Sequence, residues 1–260
     1  MKRISCCLCA LFLALTLMAF QEQHLYMILD GGLILPTNKV WAHRVNDTLT
    51  AQIKSQQFLG MELDIIYSPT QNQLFVCHDE EDTINGLTLS QYFSAIDSVE
   101  NYCFWLDIKN LTSITADTIS TLVKMDLDEY CLVDRAFLEN ADSWALQKAK
   151  NHGLHTSLWV DNFYWTAIDT ASWYEKVNNQ ILTANPDGLS CEYHMFGALT
   201  ECFPDNNIFL WHTPAALTPE NEELTRTFCQ HPSVKIVLVD YDEPIPYNDS
   251  ISMDSLGFIR

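Results

Sequence analysis

Short apolar runs alternate with stretches of helical pattern along most of this chain, and this rhythm constrains the fold more than any other feature. Each apolar run has the length of a β-strand, and the stretches between suit amphipathic helices. Alternating strands and helices form parallel sheets, and 260 residues are enough for one closed barrel. The sequence therefore predicts an α/β protein, a (β/α)8 TIM barrel. The eight predicted strands are residues 40–43, 61–66, 104–108, 131–138, 156–160, 188–191, 208–211 and 235–239.

A ninth apolar run, residues 74–77, follows the second strand after a short polar turn. The turn is too short for a crossover helix, so this run is expected to pair back as a β-hairpin extension outside the barrel. Residues 21–38 are interpreted as an N-terminal lead-in, and residues 39–260 as the barrel domain. The predicted helices are residues 48–57, 115–125, 141–151, 171–183 and 219–230.

Residues 1–20 have the composition of a secretory signal peptide. Two basic residues precede an apolar run that is too short to favour a transmembrane anchor. A lipid-modified cysteine is the alternative, but Cys6, Cys7 and Cys9 lie inside the apolar run rather than at its end. We expect an exported protein, periplasmic or secreted, with no stable membrane span.

The chain is strongly acidic, with a formal net charge of −20. Removal of the leader would leave 12 basic and 34 acidic side chains, a charge of −22. Such a surface repels nucleic acid, so no nucleic-acid partner is expected. Six cysteines follow the leader without a close CxxC pair. Four of them, Cys77, Cys103, Cys131 and Cys191, fall in apolar runs where a buried free thiol is expected.

Three carboxylates lie on predicted strands that the barrel would bring together. Alternation along a strand puts Glu62 and Asp64 on one side of the second strand, and Asp107 and Lys109 on one side of the third. Both pairs can therefore face the barrel axis near the carboxyl ends of the strands, where such barrels build their sites. Three buried carboxylates repel one another unless a cation lies between them, and all-oxygen ligands favour a hard ion. The sequence predicts one divalent cation, Mg²⁺ or Ca²⁺, held by these acids.

Two histidines flank the acidic pair along the chain. His43 closes the first strand, and His78 follows the hairpin. Each feature alone also has a structural explanation: a solvated pair of acids, a structural histidine, or an inward salt bridge between Asp107 and Lys109. Taken together and in this order, they favour a phosphoryl-transfer site.

These motifs resemble those of the glycerophosphodiester phosphodiesterases and of the wider PLC-like phosphodiesterase superfamily. The resemblance covers roughly residues 40–244 and is most specific in the first third of that range. The matching stretches are His43-Arg44, Glu62-x-Asp64, His78-Asp79 and Asp107-x-Lys109.

The resemblance implies a role for each of these residues. His43 and His78 would be the general acid and base on opposite sides of a phosphodiester, and the three acids would hold the metal. Arg44 and Lys109 would bind the phosphate. From its place near the end of the seventh strand, and not from the resemblance, Trp211 is a candidate to stack on a sugar face or hold a quaternary ammonium head, with a core tryptophan as the alternative. The implied substrate is a small-molecule glycerophosphodiester or a phospholipid headgroup, cleaved by water or through a cyclic phosphate.

The chain departs from the family pattern at several points. Val45 stands where the glycine of His-Arg-Gly would be, and Asp107 replaces the usual glutamate. Only 29 positions separate His78 from Asp107, so we expect no large insertion subdomain. These features resemble the sphingomyelinase D branch, although its cysteine-bearing loop is missing. The substrate is therefore less constrained than the chemistry.

Two other functions remain as alternatives. The first is a non-catalytic protein that binds a phospho-ligand or a partner on the same barrel. The second is a secreted glycosidase with two catalytic carboxylates, which would leave both histidines unexplained. Six further polar residues at or after strand ends are candidates for lining the site only: Asp161, Glu192, His194, His212, Asp240 and Asp242.

Overall fold

The centre of the molecule is a ring of parallel strands. The computed structural model describes residues 25–162, 169–214 and 216–241, without the side chains of residues 84 and 85. Ahead of the ring, β1 (Tyr26–Ile28) and β2 (Ile34–Pro36) pair as an antiparallel hairpin. The main sheet contains β3 (Val40–Ala42), β4 (Gly60–Ser68), β5 (Gln73–Val76), β6 (Cys103–Ile108), β7 (Ala136–Asn140), β8 (His155–Trp159), β9 (Gly188–Glu192), β10 (Ile208–Trp211) and β11 (Val234–Val239).

The eight parallel strands close into a barrel. They follow the order β3, β4, β6, β7, β8, β9, β10 and β11, and β11 pairs with β3 to complete the ring. β5 runs antiparallel to the second half of β4, with Ile65 opposite Val76. The predicted (β/α)8 barrel and its hairpin extension are therefore confirmed. The chain between β5 and β6 is occupied by two 3₁₀ turns and one short helix, in keeping with the expected absence of a large insertion.

Helices connect the strands on the outside of the barrel. They are α1 (Thr48–Lys54), α2 (Leu89–Ser94), α3 (Ala116–Glu129), α4 (Ser143–Asn151), α5 (Thr170–Ala184), α6 (Phe196–Cys202) and α7 (Pro219–Gln230). Side-chain caps fix several starts: Asp169 accepts from the backbone N–H of Ser172, and Thr218 caps α7 just before Pro219. The sequence analysis missed α2 and α6, because helices this short show little of the 3.6-residue period.

Large aromatic side chains fill the interior of the barrel. Trp105, Phe137 and Phe209 are fully buried there, with ring centroids 4.9–6.0 Å apart. Trp41 joins them, and its ring passes so close to Gly60 that an added Cβ would lie 2.0 Å from it. Only glycine fits at that position, because any side chain would collide with the Trp41 ring.

The hairpin of β1 and β2 covers the amino-terminal end of the barrel. Leu29, Leu33 and Leu35 are buried in the same apolar cluster as the interior aromatic residues. Cys103, at the start of β6, donates from its thiol to the carbonyl oxygen of Ile34 at 3.3 Å. The lead-in predicted for residues 21–38 is thus, over its described part, a structural plug.

The strand predicted for residues 131–138 begins five residues too early. Residues 131–135 are not in a strand: Cys131 has a φ of 59°, and a 3₁₀ turn follows before β7 begins at Ala136. Cys131 is also exposed rather than buried. Its left-handed backbone cannot continue a strand, whereas Cys77, Cys103 and Cys191 are buried free thiols as expected.

Some expectations fall outside the described residues. The leader at residues 1–20 and the end of the barrel domain after residue 241 belong to this group. Within the ranges that the structure describes, no helix has both the length and the apolar character needed to cross a membrane.

Candidate active site

A cavity of about 200 Å³ opens at the carboxyl-terminal end of the barrel. Seven of the eight predicted site residues line it: His43, Arg44, Glu62, Asp64, Asp107, Lys109 and Trp211. Trp105, Glu139, Thr213 and Leu238 complete the lining. The chain order of the strands thus brings distant residues to one place, as such barrels do.

The three predicted metal ligands converge. One oxygen from each of Glu62, Asp64 and Asp107 lies within 4.8 Å of the other two. The register explains this, since Asp64 and Asp107 are directly opposite each other on β4 and β6, and Glu62 points to the same side two residues earlier. Convergence, the geometrical part of the prediction, is confirmed.

The pKa values of these acids reflect burial and mutual repulsion, which Lys109 offsets in part. Burial, and then repulsion from Asp64 and Asp107, raises the pKa of Glu62 well above its usual value. Burial also raises the pKa of Asp107, against the opposing effect of Lys109. Burial alone would raise the pKa of Asp64 too, but hydrogen bonds from Lys109 and Asn46 lower it. An oxygen-only donor set with partly offset repulsion fits a hard divalent cation.

Lys109 lies between two of the acids. Its ammonium group contacts Asp64 Oδ1 at 2.6 Å and Asp107 Oδ2 at 2.5 Å. Burial would lower the pKa of Lys109, but the two carboxylates raise it, so the side chain stays charged. The inward salt bridge considered from the sequence is therefore present, inside the cavity.

The loop after β3 holds the two acids of β4 in place. The backbone N–H of Arg44 donates to Glu62 Oε2 at 2.7 Å. Asn46 donates from Nδ2 to Asp64 Oδ2 at 2.6 Å, and its Oδ1 accepts from the backbone N–H of Asp64 at 2.8 Å. Arg44 itself has a φ of 53°, so the left-handed turn falls one residue before Val45. A glycine at position 45 is not needed, and Val45 is buried in the core instead.

His43 is oriented by a carboxylate from the last strand. Its Nδ1 lies 2.7 Å from Asp240 Oδ1, and its Nε2 lies 3.7 Å from Glu62 Oε2. An ionised carboxylate only accepts hydrogen bonds, so this contact puts the proton on Nδ1 and turns Nε2 toward the acids. Asp240 was predicted only as a candidate for lining the site, because it follows a strand. In the structure it contacts His43.

His78 lies at the edge of the site rather than in its lining. Its side chain is 50% exposed, and Nδ1 contacts Asp79 Oδ1 at 3.0 Å. It is still close enough to act electrostatically on Asp64 and Asp107, as one of the smaller influences on the pKa of each. The structure thus brings His43 to the acids and leaves His78 at the rim.

Glu139 is a fourth acid that the sequence analysis missed. It is buried on β7, directly opposite Asp107, and Oε2 accepts a hydrogen bond from Trp105 Nε1 at 2.9 Å. Burial, and then repulsion from Asp107, raises the pKa of Glu139 to about 8. The signal was its inward position two residues after Phe137, but the predicted strand stopped one residue too early, at residue 138.

The remaining aromatic and polar candidates lie around this centre. Trp211 lines the cavity and stacks on Trp159, with ring centroids 5.9 Å apart and planes at 15°. Among the other lining candidates, Asp161 pairs with Lys176, and Glu192 accepts from Asn162. These two, with His194 and His212, are absent from the cavity lining, and Asp242 lies outside the described residues.

Comparison with known proteins identifies the architecture. No protein-family model matches the sequence, and no curated protein matches it. Among solved structures, a phosphodiesterase from Oleispira antarctica, in complex with the product sn-glycerol-3-phosphate, has a TM-score of 0.58 at 16% identity, over 81% of this chain and 95% of that one. A glycerophosphodiester phosphodiesterase from Parabacteroides distasonis has a TM-score of 0.56 at 15% identity, over 78% and 92% of the two chains. The fold is that of the glycerophosphodiester phosphodiesterases.

Proposed function

We propose that this protein is an exported, metal-dependent phosphodiesterase that cleaves a glycerophosphodiester or a phospholipid headgroup. The single observation that carries the proposal is the convergence of Glu62, Asp64 and Asp107 in one cavity. The leader-like composition of residues 1–20 supports export.

The three acids would hold one Mg²⁺ or Ca²⁺, which when bound supplies a Lewis acid for a non-bridging phosphate oxygen. The residues around these acids have separate roles. Asn46 and the Arg44 backbone fix the acids of β4, so the ligand atoms are oriented before any ion binds. Lys109 brings a permanent positive charge to the same point and can attract the anionic phosphate.

His43 and His78 would transfer the protons. With Nδ1 held by Asp240, His43 presents Nε2 to the cavity and can take a proton from the attacking oxygen or give one to the leaving alcohol. His78 stands on the exposed side of the acids, where it can serve the opposite end of a phosphodiester.

The cavity suits a small group. At about 200 Å³ it is smaller than the pockets that enclose drug-sized ligands, roughly 300–1,000 Å³. This supports recognition of a headgroup rather than of a whole lipid. The structurally similar phosphodiesterase with bound sn-glycerol-3-phosphate supports the same class of substrate.

A substrate screen with matched histidine variants tests the proposal. The purified protein is assayed on glycerophosphodiesters, lysophospholipids and sphingomyelin with Mg²⁺ or Ca²⁺, and ³¹P NMR separates a cyclic phosphate from a monoester. We expect turnover that a chelator abolishes, and a loss of about 10²- to 10⁴-fold in kcat for His43→Ala and for His78→Ala.

His152→Ala is the matched control, because His152 lies on the outer surface beside Asp117, and it should retain full activity. Full activity in either catalytic variant would refute its role. Tight binding of phosphate esters without turnover would favour the non-catalytic binding protein.

A further inference from the structure

Glu139 carries a buried acceptor that the proposed mechanism does not use. Its side chain is 3% exposed. Oε2 accepts a hydrogen bond from Trp105, whereas Oε1 is buried and forms no hydrogen bond of good geometry among the described residues. The hydroxyl group of Ser190 acts on this carboxyl group, but it too lacks a hydrogen bond of good geometry. An unsatisfied buried acceptor costs about 1–3 kcal/mol. The bond to Trp105 gives Oε2 a role in the fold, but packing alone does not explain the second buried oxygen, Oε1.

The position of Glu139 places it outside the proposed set of metal ligands. Asp64, Asp107 and Glu139 are successive partners across β4, β6 and β7, and neighbouring strands lie about 4.8 Å apart. The group of oxygens within 4.8 Å of one another includes Asp64 and Asp107 but not Glu139. Glu139 therefore stands beside the proposed ion rather than among its ligands.

The alcohol of a phosphate ester bound at the acids would share its cavity with this carboxyl group. Glu139 lines the same cavity as Asp107 and Trp211, one strand away from the phosphate position. A hydroxyl group can satisfy Oε1 with a hydrogen bond. A quaternary ammonium cannot, because it has no N–H to donate.

On the basis of the proposed function, we propose that Glu139 determines specificity by forming a hydrogen bond, through Oε1, with a hydroxyl group of the substrate's alcohol. A buried polar group that is paired only when the correct substrate is bound discriminates strongly against analogues without the hydroxyl. The site then prefers esters of polyols over esters of simple alcohols.

Calorimetry with two phosphate monoesters tests this inference in the presence of saturating Mg²⁺ or Ca²⁺. sn-Glycerol 3-phosphate carries hydroxyl groups, and ethyl phosphate has the same phosphate without them. In Glu139→Met the affinity for glycerol phosphate should fall about 10-fold or more, while the affinity for ethyl phosphate stays unchanged. Glu139→Gln keeps a polar atom and an acceptor for Trp105, so its selective loss should be smaller.

Glu175→Met is the control, because Glu175 is exposed on the outer face of α5 and should bind both esters like the parent. Equal weakening of both esters in Glu139→Met, no weakening of either, or a fall in its metal affinity would each overturn the inference. If Glu139→Met does not fold, the selective loss in Glu139→Gln decides, and its absence overturns the inference. If the parent protein binds neither ester, the proposed function itself fails.

Discussion

The two ends of the barrel each bury a carboxylate, but they treat it in opposite ways. At the amino-terminal end, Asp187 precedes β9 and is surrounded by donors: Lys150 Nζ lies 3.2 Å from its oxygens, His155 Nδ1 lies 3.5 Å away, and the backbone N–H of Thr156 donates at 2.8 Å. At the mouth, Glu62 has one backbone donor and two acids as neighbours, and His43 Nε2 is more distant, at 3.7 Å.

The pKa values follow this difference. Burial would raise the pKa of Asp187, but hydrogen bonds from His155 and Thr156 and the charge of Lys150 lower it overall. Burial and like charges raise the pKa of Glu62. A matched buried charge stabilises the fold, whereas Glu62 is the kind of buried acid that the proposed cation would stabilise. The two ends of the barrel therefore differ in how a buried carboxylate is compensated.

The largest expected effect is a difference in the free energy of unfolding between variants at the two ends, measured with a chelator present. Asp187→Asn should lower the free energy of unfolding by about 3 kcal/mol, because it leaves Lys150 and His155 without their buried partner. Glu62→Gln should change it by less than about 1 kcal/mol or increase it, because it removes repulsion while keeping an acceptor for Arg44. Urea denaturation of both variants measures the contrast, and equal losses would break the comparison.

The contribution of Asp187 also has a defined dependence on pH. A carboxyl group whose pKa is lower in the folded state stabilises the protein above its unfolded pKa of about 3.9, and loses that effect as the pH falls through the folded value. The gap between the parent protein and Asp187→Asn should therefore be full near neutral pH and should close below about pH 4. A gap that widened in acid would contradict this.

Binding of the proposed metal should change the free energy of unfolding slightly less than Asp187→Asn does. At a concentration 100 times its Kd, Mg²⁺ or Ca²⁺ should raise the free energy of unfolding by about 2.7 kcal/mol. Thermal unfolding should show the increase in the parent protein and lose it in Asp107→Asn. Asp117→Asn removes a surface acid paired with Lys148 and should respond like the parent. An undiminished response in Asp107→Asn would exclude Asp107 as a ligand.

The smallest effect concerns the orientation of His43. Asp240→Asn should lower kcat by about 10- to 100-fold with little change in KM, because an amide no longer holds the Nδ1–H form of the ring. NMR of the imidazole nitrogens reports the tautomer directly, and Asp205→Asn, on an exposed loop, should change neither quantity. An unchanged tautomer with reduced activity would argue against positioning by Asp240.

Much of this architecture is present in local sequence pattern. The alternation of Glu62 with Asp64, and the equivalent spacing of Asp107 with Lys109, fixes which side of each strand they occupy. Closure of parallel strands then brings those sides together, so the acidic centre could be predicted without coordinates. The hairpin after β4 could be predicted too, because its connection is too short for anything else.

Other parts depend on contacts that pattern does not show. Asn46 acts through two hydrogen bonds across the chain to Asp64, and a single asparagine after a strand has no periodic signal. Glu139 was missed because the predicted strand ended at residue 138, whereas the strand continues to Asn140. The strands β1 and β2 are too short to show the sequence periodicity of a helix or of a strand. Their burial comes from tertiary packing against the barrel.

The plug formed by β1 and β2 also affects how a bound compound can leave the barrel. Because aromatic side chains fill the barrel and Leu29, Leu33 and Leu35 seal it from below, a compound bound among the acids must exit through the same opening by which it arrived. If the reaction produces two fragments, the one seated deeper, beside Trp105 and Glu139, can depart only after the outer one has cleared the passage. Release would then be ordered, and the inner fragment would compete with incoming substrate.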